Sequence, residues 1–213
     1  WFVALLIPPA LVFLGLRLLL TPVFLQIEYR LPGFPADEYG FTLEERLRYA
    51  RPSLEYLLND ADISYLGDLR FPEGGQVFNE RELSHMLDVK NVVQPALTVG
   101  YLVWGGLAAL GLWACWGGWW PQYRAGLRRG GWLTVGLVAL IGIGAAVSFW
   151  QFFTLFHALF FEGDSWIFLY SDTLIRLFPI RFWQDAFLLA GALALVGGLV
   201  LGVFARPRKQ ANG

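Results

Sequence analysis

VVQPALTVGYLVWGGLAALGLWACWGGWW, residues 92–120, contains no Asp, Glu, Lys or Arg. A helix rises 1.5 Å per residue, so about 20 such residues cross a hydrocarbon core of roughly 30 Å. This run is long enough to span a bilayer. Acids dominate the segment before it, and three arginines follow it with no acid between them. Working outward, three more apolar stretches of similar length appear: 1–20, 132–156 and 185–205. The expected fold is an all-α membrane protein with four transmembrane helices. Residues 21–92, between spans one and two, form a mostly helical extracytoplasmic cap.

Composition supports that class. Of the 213 residues, 56% are hydrophobic and 15% charged, with a mean hydropathy of +0.50; this is too apolar for a soluble domain of this length. The net charge of −1 says little about partners, because the charges are segregated by region. No nucleic-acid partner is expected. A single cysteine, Cys115, allows no intrachain disulfide. Two histidines and one cysteine in separate segments match no zinc spacing, so neither metal nor cofactor is expected. The chain begins at Trp1 rather than Met, so a preceding piece is expected. Span one is read as uncleaved, because no small-x-small cleavage site follows it.

Arg and Lys in short loops set orientation. The 121–131 connection carries Arg124, Arg128 and Arg129, and the tail at 206–213 carries Arg206, Arg208 and Lys209. Both read as cytoplasmic. Residues 21–92 carry 13 Asp and Glu against 7 Lys and Arg, and with 157–184 they read as extracytoplasmic. Trp116, Trp119 and Trp120 suit an inner aromatic belt, and Trp166 and Trp183 an outer one. Both termini are then inside, and His85 and His157 lie at the outer face of the membrane. Glycine-rich stretches such as WGGLAALG and GGLVLG read as close helix packing.

The cap has its own signals. Thr42-Leu43-Glu44-Glu45 is a capping box, and Leu43, Leu47 and Ala50 are placed on one helix face. Pro52 is expected to open a second helix with Leu54, Leu57 and Leu58, and a short strand is expected near 63–66. Asn79-Glu80-Arg81-Glu82 starts another helix, with Leu83, Met86 and Leu87 facing one way and His85, Asp88 and Val92 near another line. Pro95 reads as a joint before span two. The segment 171–179, SDTLIRLFP, reads as a short interfacial helix ended by Pro179.

FTLFHALFFEGDSW, residues 153–166, extends an apolar run past what the bilayer requires and then breaks at Gly163. Counted from Trp132, His157 falls about 9 Å beyond a 20-residue span, at interfacial depth. An interfacial histidine reads either as an amphipathic ring at a wet boundary or as a proton-transfer group, since its unperturbed pKa suits that task near neutral pH. Nearby acids could fix a tautomer: Asp88 for His85, and Asp164 or Glu162 for His157. Arg17 and Arg176 are candidate ligands for an oxyanion or carbonyl. Trp166 and Ser165 are further substrate or orienting candidates, with Ser84 and Ser165 as nucleophiles lacking a supporting motif. Cys115 lies toward the other face and reads as packing.

ELSHMLDVK at 82–90, and FHALFFEGDSWIF, SDTLIRLFP and FW within 156–183, resemble the family of small four-span bacterial membrane proteins that includes the lipoprotein intramolecular transacylases. The resemblance covers the span layout, the acidic cap and these blocks. It implies an acyltransferase acting on lipoproteins whose N-terminal cysteine carries a diacylglyceryl group. The sn-2 acyl chain would move to that cysteine's own α-amino group, leaving a lyso-form N-acylated lipoprotein. It also implies His85 and His157 as the catalytic pair. The implied partners are such lipoproteins and membrane lipid, and a monomer is expected.

Two other classes compete. An esterase at the outer leaflet would use the same histidines with water in place of the amine and release free fatty acid. A non-catalytic membrane partner protein would tolerate loss of either histidine. A transporter or channel fits less well, since spans two to four carry no ionisable group in their cores.

Overall fold

The computed structural model describes residues 1–205; the tail residues Arg206, Arg208 and Lys209 lie outside the described residues. Every regular element among the described residues is a helix: α1 (Phe2–Leu19), α2 (Pro22–Glu28), α3 (Leu43–Leu58), α4 (Ser64–Gly67), α5 (Glu80–Trp116), α6 (Trp120–Val147), α7 (Phe149–Phe160), α8 (Thr173–Leu177) and α9 (Ile180–Phe204). Four of them, α1, α5, α6 and α9, are long and apolar enough to cross a membrane. The chain divides into two compact units.

One unit holds residues 1–17, 97–148 and 188–205 among those described. Its helices meet where side chains vanish. A Cβ added to Gly131 of α6 would lie 2.5 Å from the Gly198 carbonyl oxygen of α9, and one on Gly130 would lie 2.7 Å from the Ala4 carbonyl oxygen of α1. Gly15 of α1 meets Ala190 of α9 in the same way. Lipid removes the hydrophobic driving force between helices, so backbones approach through small residues and gain dispersion contacts instead. Polar groups close onto backbone carbonyls: Trp104 Nε1 donates to Ala10 O at 3.0 Å, and Tyr123 OH to Leu107 O at 2.9 Å. Arg124 and Arg128 donate to the carbonyls of Phe204 and Gly202 at the end of α9, where free helix-terminal acceptors favour a cation. Leu102, Trp113, Leu140 and Leu188 stay exposed, as surfaces covered by lipid should.

The other unit holds residues 18–96 and 149–187. Thr21 caps α2, accepting from Phe24 N, with Pro22 in its first turn. The Thr42–Glu45 capping box starts α3 as expected, both reciprocal bonds being present. The expected break at Pro52 does not occur: α3 runs through it. Pro52 forfeits only the bond to the Arg48 carbonyl, on an exposed turn, while Tyr49, Ala50, Ser53, Leu54 and Tyr56 form one continuous buried face. That face is built mainly from tyrosines and small residues; Leu43, placed on one face with Leu47 and Ala50, and Leu58 are exposed. It packs against α2, α4 and α8. Where a strand was expected there is α4, and the nearest β feature is an isolated bridge between Arg70 and Gln76.

Three further boundaries differ from the sequence reading. Helix α5 continues unbroken through Pro95, and residues 121–131 are helical rather than a loop. The third apolar run is not one helix. It breaks at Ser148, which is extended (φ −156°, ψ 102°). Gly142 and Gly144 weaken the helix before the break, and Phe149 beyond it packs on Phe153 and Phe187. Counting His157's depth along a single axis from Trp132 therefore does not apply.

Candidate active site

The histidine-bearing turn of α5 is fixed by its own N-terminus. Asn79 and Glu82 cap reciprocally: Asn79 N donates to Glu82 Oε2 at 2.8 Å, and Glu82 N to Asn79 Oδ1 at 3.0 Å. Glu82 is 1% exposed, and its second oxygen accepts from Leu174 N of α8 at 2.6 Å. One carboxylate thus ends two sets of orphan helix-start amides. His85 follows one turn later.

His85 and His157 come together although 72 residues separate them in sequence. Their rings are nearly parallel (20°), with centroids 6.2 Å apart. A ring nitrogen lies about 1.1 Å from its centroid, so no two nitrogens approach closer than about 4 Å, beyond hydrogen-bond length. The imidazoles share a site without bonding to each other. Both are buried, at 8% and 7% exposure.

The chain folds a shell of aromatic rings around them. Phe153, one turn before His157 on α7, has its centroid 4.1 Å from that imidazole; Trp166 is at 4.6 Å and Phe161 at 5.6 Å. Phe161 and Phe168 meet His85 edge-on at 5.0 and 5.3 Å. Gly163, at φ +67°, makes the reversal after α7 that returns Trp166 and Phe168 to the histidines; a side chain there would be strained.

Burial sets the protonation. It pushes the pKa of His85 down to about 4, with the nearby His157 adding to the shift; His85 lies in the polar turns of α5 that precede the apolar stretch. Burial also lowers His157, partly opposed by its bond to Phe153. Both rings are neutral at pH 7. His157 Nδ1 lies 2.8 Å from the Phe153 carbonyl oxygen. A carbonyl only accepts, so Nδ1 carries the proton and Nε2 keeps its lone pair. Nδ1 of His85 is buried without a hydrogen-bond partner.

The acids expected to orient the histidines are elsewhere. A backbone carbonyl takes that place for His157, while Asp164 is exposed and Asp88 half-buried. Arg176 turns to neither water nor the histidines. It pairs with Asp37 through Nε and Nη2, at 3.2 and 2.9 Å to Oδ2, and stacks 3.5 Å from the Phe41 ring centroid. Asp37 keeps a lowered pKa: burial would raise it, but the Arg176 bonds and the Phe41 amide outweigh that. Arg17 is half-buried on α1, in the other unit. Ser165 is half-buried, Ser84 exposed, and Cys115 exposed. In the first turns of α5 Glu82, His85, Met86 and Lys90 are buried, while Leu87 faces outward. Sequence reading missed Phe153, Phe161 and Phe168 and the second role of Glu82. The i, i+4 spacing of Phe153 and His157, and the Asn-x-x-Glu box, were the available signals.

Four apolar helices and a buried, neutral imidazole pair in an aromatic shell define an integral membrane protein with a site suited to proton transfer. A family model described as "Lipoprotein intramolecular transacylase Lit" matches residues 2–183. The chain belongs to the lipoprotein intramolecular transacylase family and is a membrane-integral transacylase of lipoprotein modification. A relative from Aquifex aeolicus (strain VF5), described as an uncharacterized protein, is 30% identical over 192 residues, covering 88% of this chain and 84% of its own. The fold is similar to that of the membrane integral lipoprotein intramolecular transacylase Lit from Bacillus cereus (TM-score 0.64, 18% identity, 93% of this chain and 88% of that one). It is also similar to a structure of that protein with a histidine-to-arginine mutation (TM-score 0.55, 17% identity, 96% and 89%).

Proposed function

We propose that the enzyme moves the sn-2 acyl chain of a diacylglyceryl-modified lipoprotein cysteine to the α-amino group of that same cysteine, with His157 as base and His85 as proton relay. The observation that carries this is the His157 Nδ1–Phe153 O bond, which presents a basic Nε2 beside a second neutral ring. The substrate's amine attacks the sn-2 carbonyl carbon, and Nε2 takes the proton lost by nitrogen. The C–O bond then breaks, and the proton passes to the departing sn-2 oxygen. It goes there directly or through His85, which accepts at one ring nitrogen and releases from the other. An amide and a hydroxyl form, with no net proton change and no nucleophilic side chain. Both reacting groups belong to one molecule, so positioning supplies much of the rate. The unpartnered His85 Nδ1 leaves a buried polar atom for the reacting groups to satisfy.

Segregation of basic residues supports cytoplasmic termini and a site at the extracytoplasmic face, where the acyl chains of a lipoprotein hold its ester. The test expresses the protein, His157→Ala and His85→Ala in cells that leave the lipoprotein cysteine diacylated with a free amine. Mass spectrometry of the N-terminal peptide should find unchanged total acyl mass with one chain on nitrogen. Each variant should lower turnover by about 10²–10⁴. An unmodified amine with the wild-type protein in the membrane would reject the reading, and loss of one acyl chain would make the enzyme an esterase.

A further inference from the structure

A neutral buried histidine that can deprotonate an amine can equally activate water. Hydrolysis of the same sn-2 ester would give a free fatty acid and a glyceryl hydroxyl, so any water admitted to the site competes with the amine. An intramolecular transacylase therefore needs something that keeps water from the ester while the amine attacks.

The 161–172 segment is built for that. It carries Trp166 against His157 (centroids 4.6 Å apart) and Phe168 edge-on against His85 (5.3 Å). It is fastened to the start of α5 and the residues just before it. Arg81 donates to the Ile167 carbonyl at 3.0 Å, between the two rings in sequence. Asn79 Nδ2 donates to Asp172 Oδ1 at 3.1 Å, and Asp172 Oδ2 closes the segment on itself through Leu169 N at 2.8 Å. Just beyond, the Thr173 hydroxyl donates to Val77 O, and Leu174 N to Glu82. The same capped helix start that carries His85 thus also anchors the segment that covers it. Exposed Arg81 holds an aromatic pair in place, while Ile167, Leu169 and Tyr170 of the segment remain exposed.

We infer that Trp166 and Phe168, anchored by Arg81 to the histidine-bearing end of α5, are product-determining residues that exclude water, so that the acyl chain goes to the amine rather than to hydroxide. This rests on the proposed transfer chemistry. The pair does not perform the proton transfer; it decides the partitioning between aminolysis and hydrolysis.

The test uses purified enzyme in lipid nanodiscs with a synthetic diacylglyceryl lipopeptide, and quantifies N-acyl peptide and released fatty acid. A ratio of products is independent of how much enzyme is folded, so a purely structural role would leave it unchanged. Trp166→Ala, Phe168→Ala and Arg81→Ala should each raise the fatty acid to N-acyl ratio about tenfold, and Trp166→Phe should restore most of the wild-type ratio. If Trp166→Ala gives neither product, the Arg81→Ala ratio decides in its place. Unchanged ratios in the active variants overturn the inference while leaving the transferase reading intact. Fatty acid as the main wild-type product would overturn that reading instead.

Discussion

At the scale of single residues, protonation decides whether the site can work. Burial keeps His85 neutral down to about pH 4 and holds His157 below its ordinary value. In the proposed reaction the group that titrates near neutrality is then the substrate's α-amine, with a pKa near 7.7–8.0. Acid protonates the nucleophile and spares the base. The logarithm of kcat/KM should fall with a slope of one from about pH 7.5 through the ordinary histidine range near pH 6.5. A slope of two opening near pH 6.5 would mean that a histidine ionises at its unperturbed value and that the shell does not dry the pair. Much of this residue chemistry was legible beforehand, because two histidines in a chain this apolar invite the question. His157 takes no acid as partner for a local reason: Phe153 offers a carbonyl one helical turn away, and a buried imidazole takes the nearest acceptor without importing a charge.

At the scale of elements, α8 is held at its start by the Glu82 carboxylate and at its end by an ion pair. Asp172 at its start makes no capping bond to its own helix, and Arg176 in its last turn is pinned to Asp37 of the α2–α3 connection with side-chain exposures of 13% and 3%. Removing one member of so buried a pair leaves the other charge without compensation. Asp37→Ala should lower the unfolding midpoint in detergent by on the order of 5–10 °C. An unchanged midpoint would show the guanidinium to be adequately solvated. Sequence pattern placed an α8-like helix at 171–179 but could not choose Arg176's partner, because Asp37 lies more than a hundred residues away and many other acids were available. Pro52 and Pro95 show the same limit. A proline warns of a break, yet a helix with a continuous buried face, or a lipid-facing surface, tolerates one missing bond.

At the scale of the whole molecule, the asymmetry of basic residues makes a topological prediction. In a Cys115→Ala background, a cysteine replacing exposed Glu73 should react with a membrane-impermeant maleimide in intact cells. One replacing exposed Gln122 should react only after permeabilisation. The reverse pattern would invert the orientation and remove the proposed site from the leaflet where the lipoprotein ester is expected.

The sequence alone determined that this protein lives in a membrane, how many of its helices are long and apolar enough to cross it, and which two imidazoles to watch. Those follow from counts of apolar residues and from side-chain chemistry, which are properties of short windows. Tertiary structure alone brought His85 to His157, surrounded the pair with Phe161, Trp166 and Phe168, and turned Arg176 toward Asp37. Such pairings depend on the turn at Gly163 and on which buried polar groups find each other, and no local window of sequence carries that information.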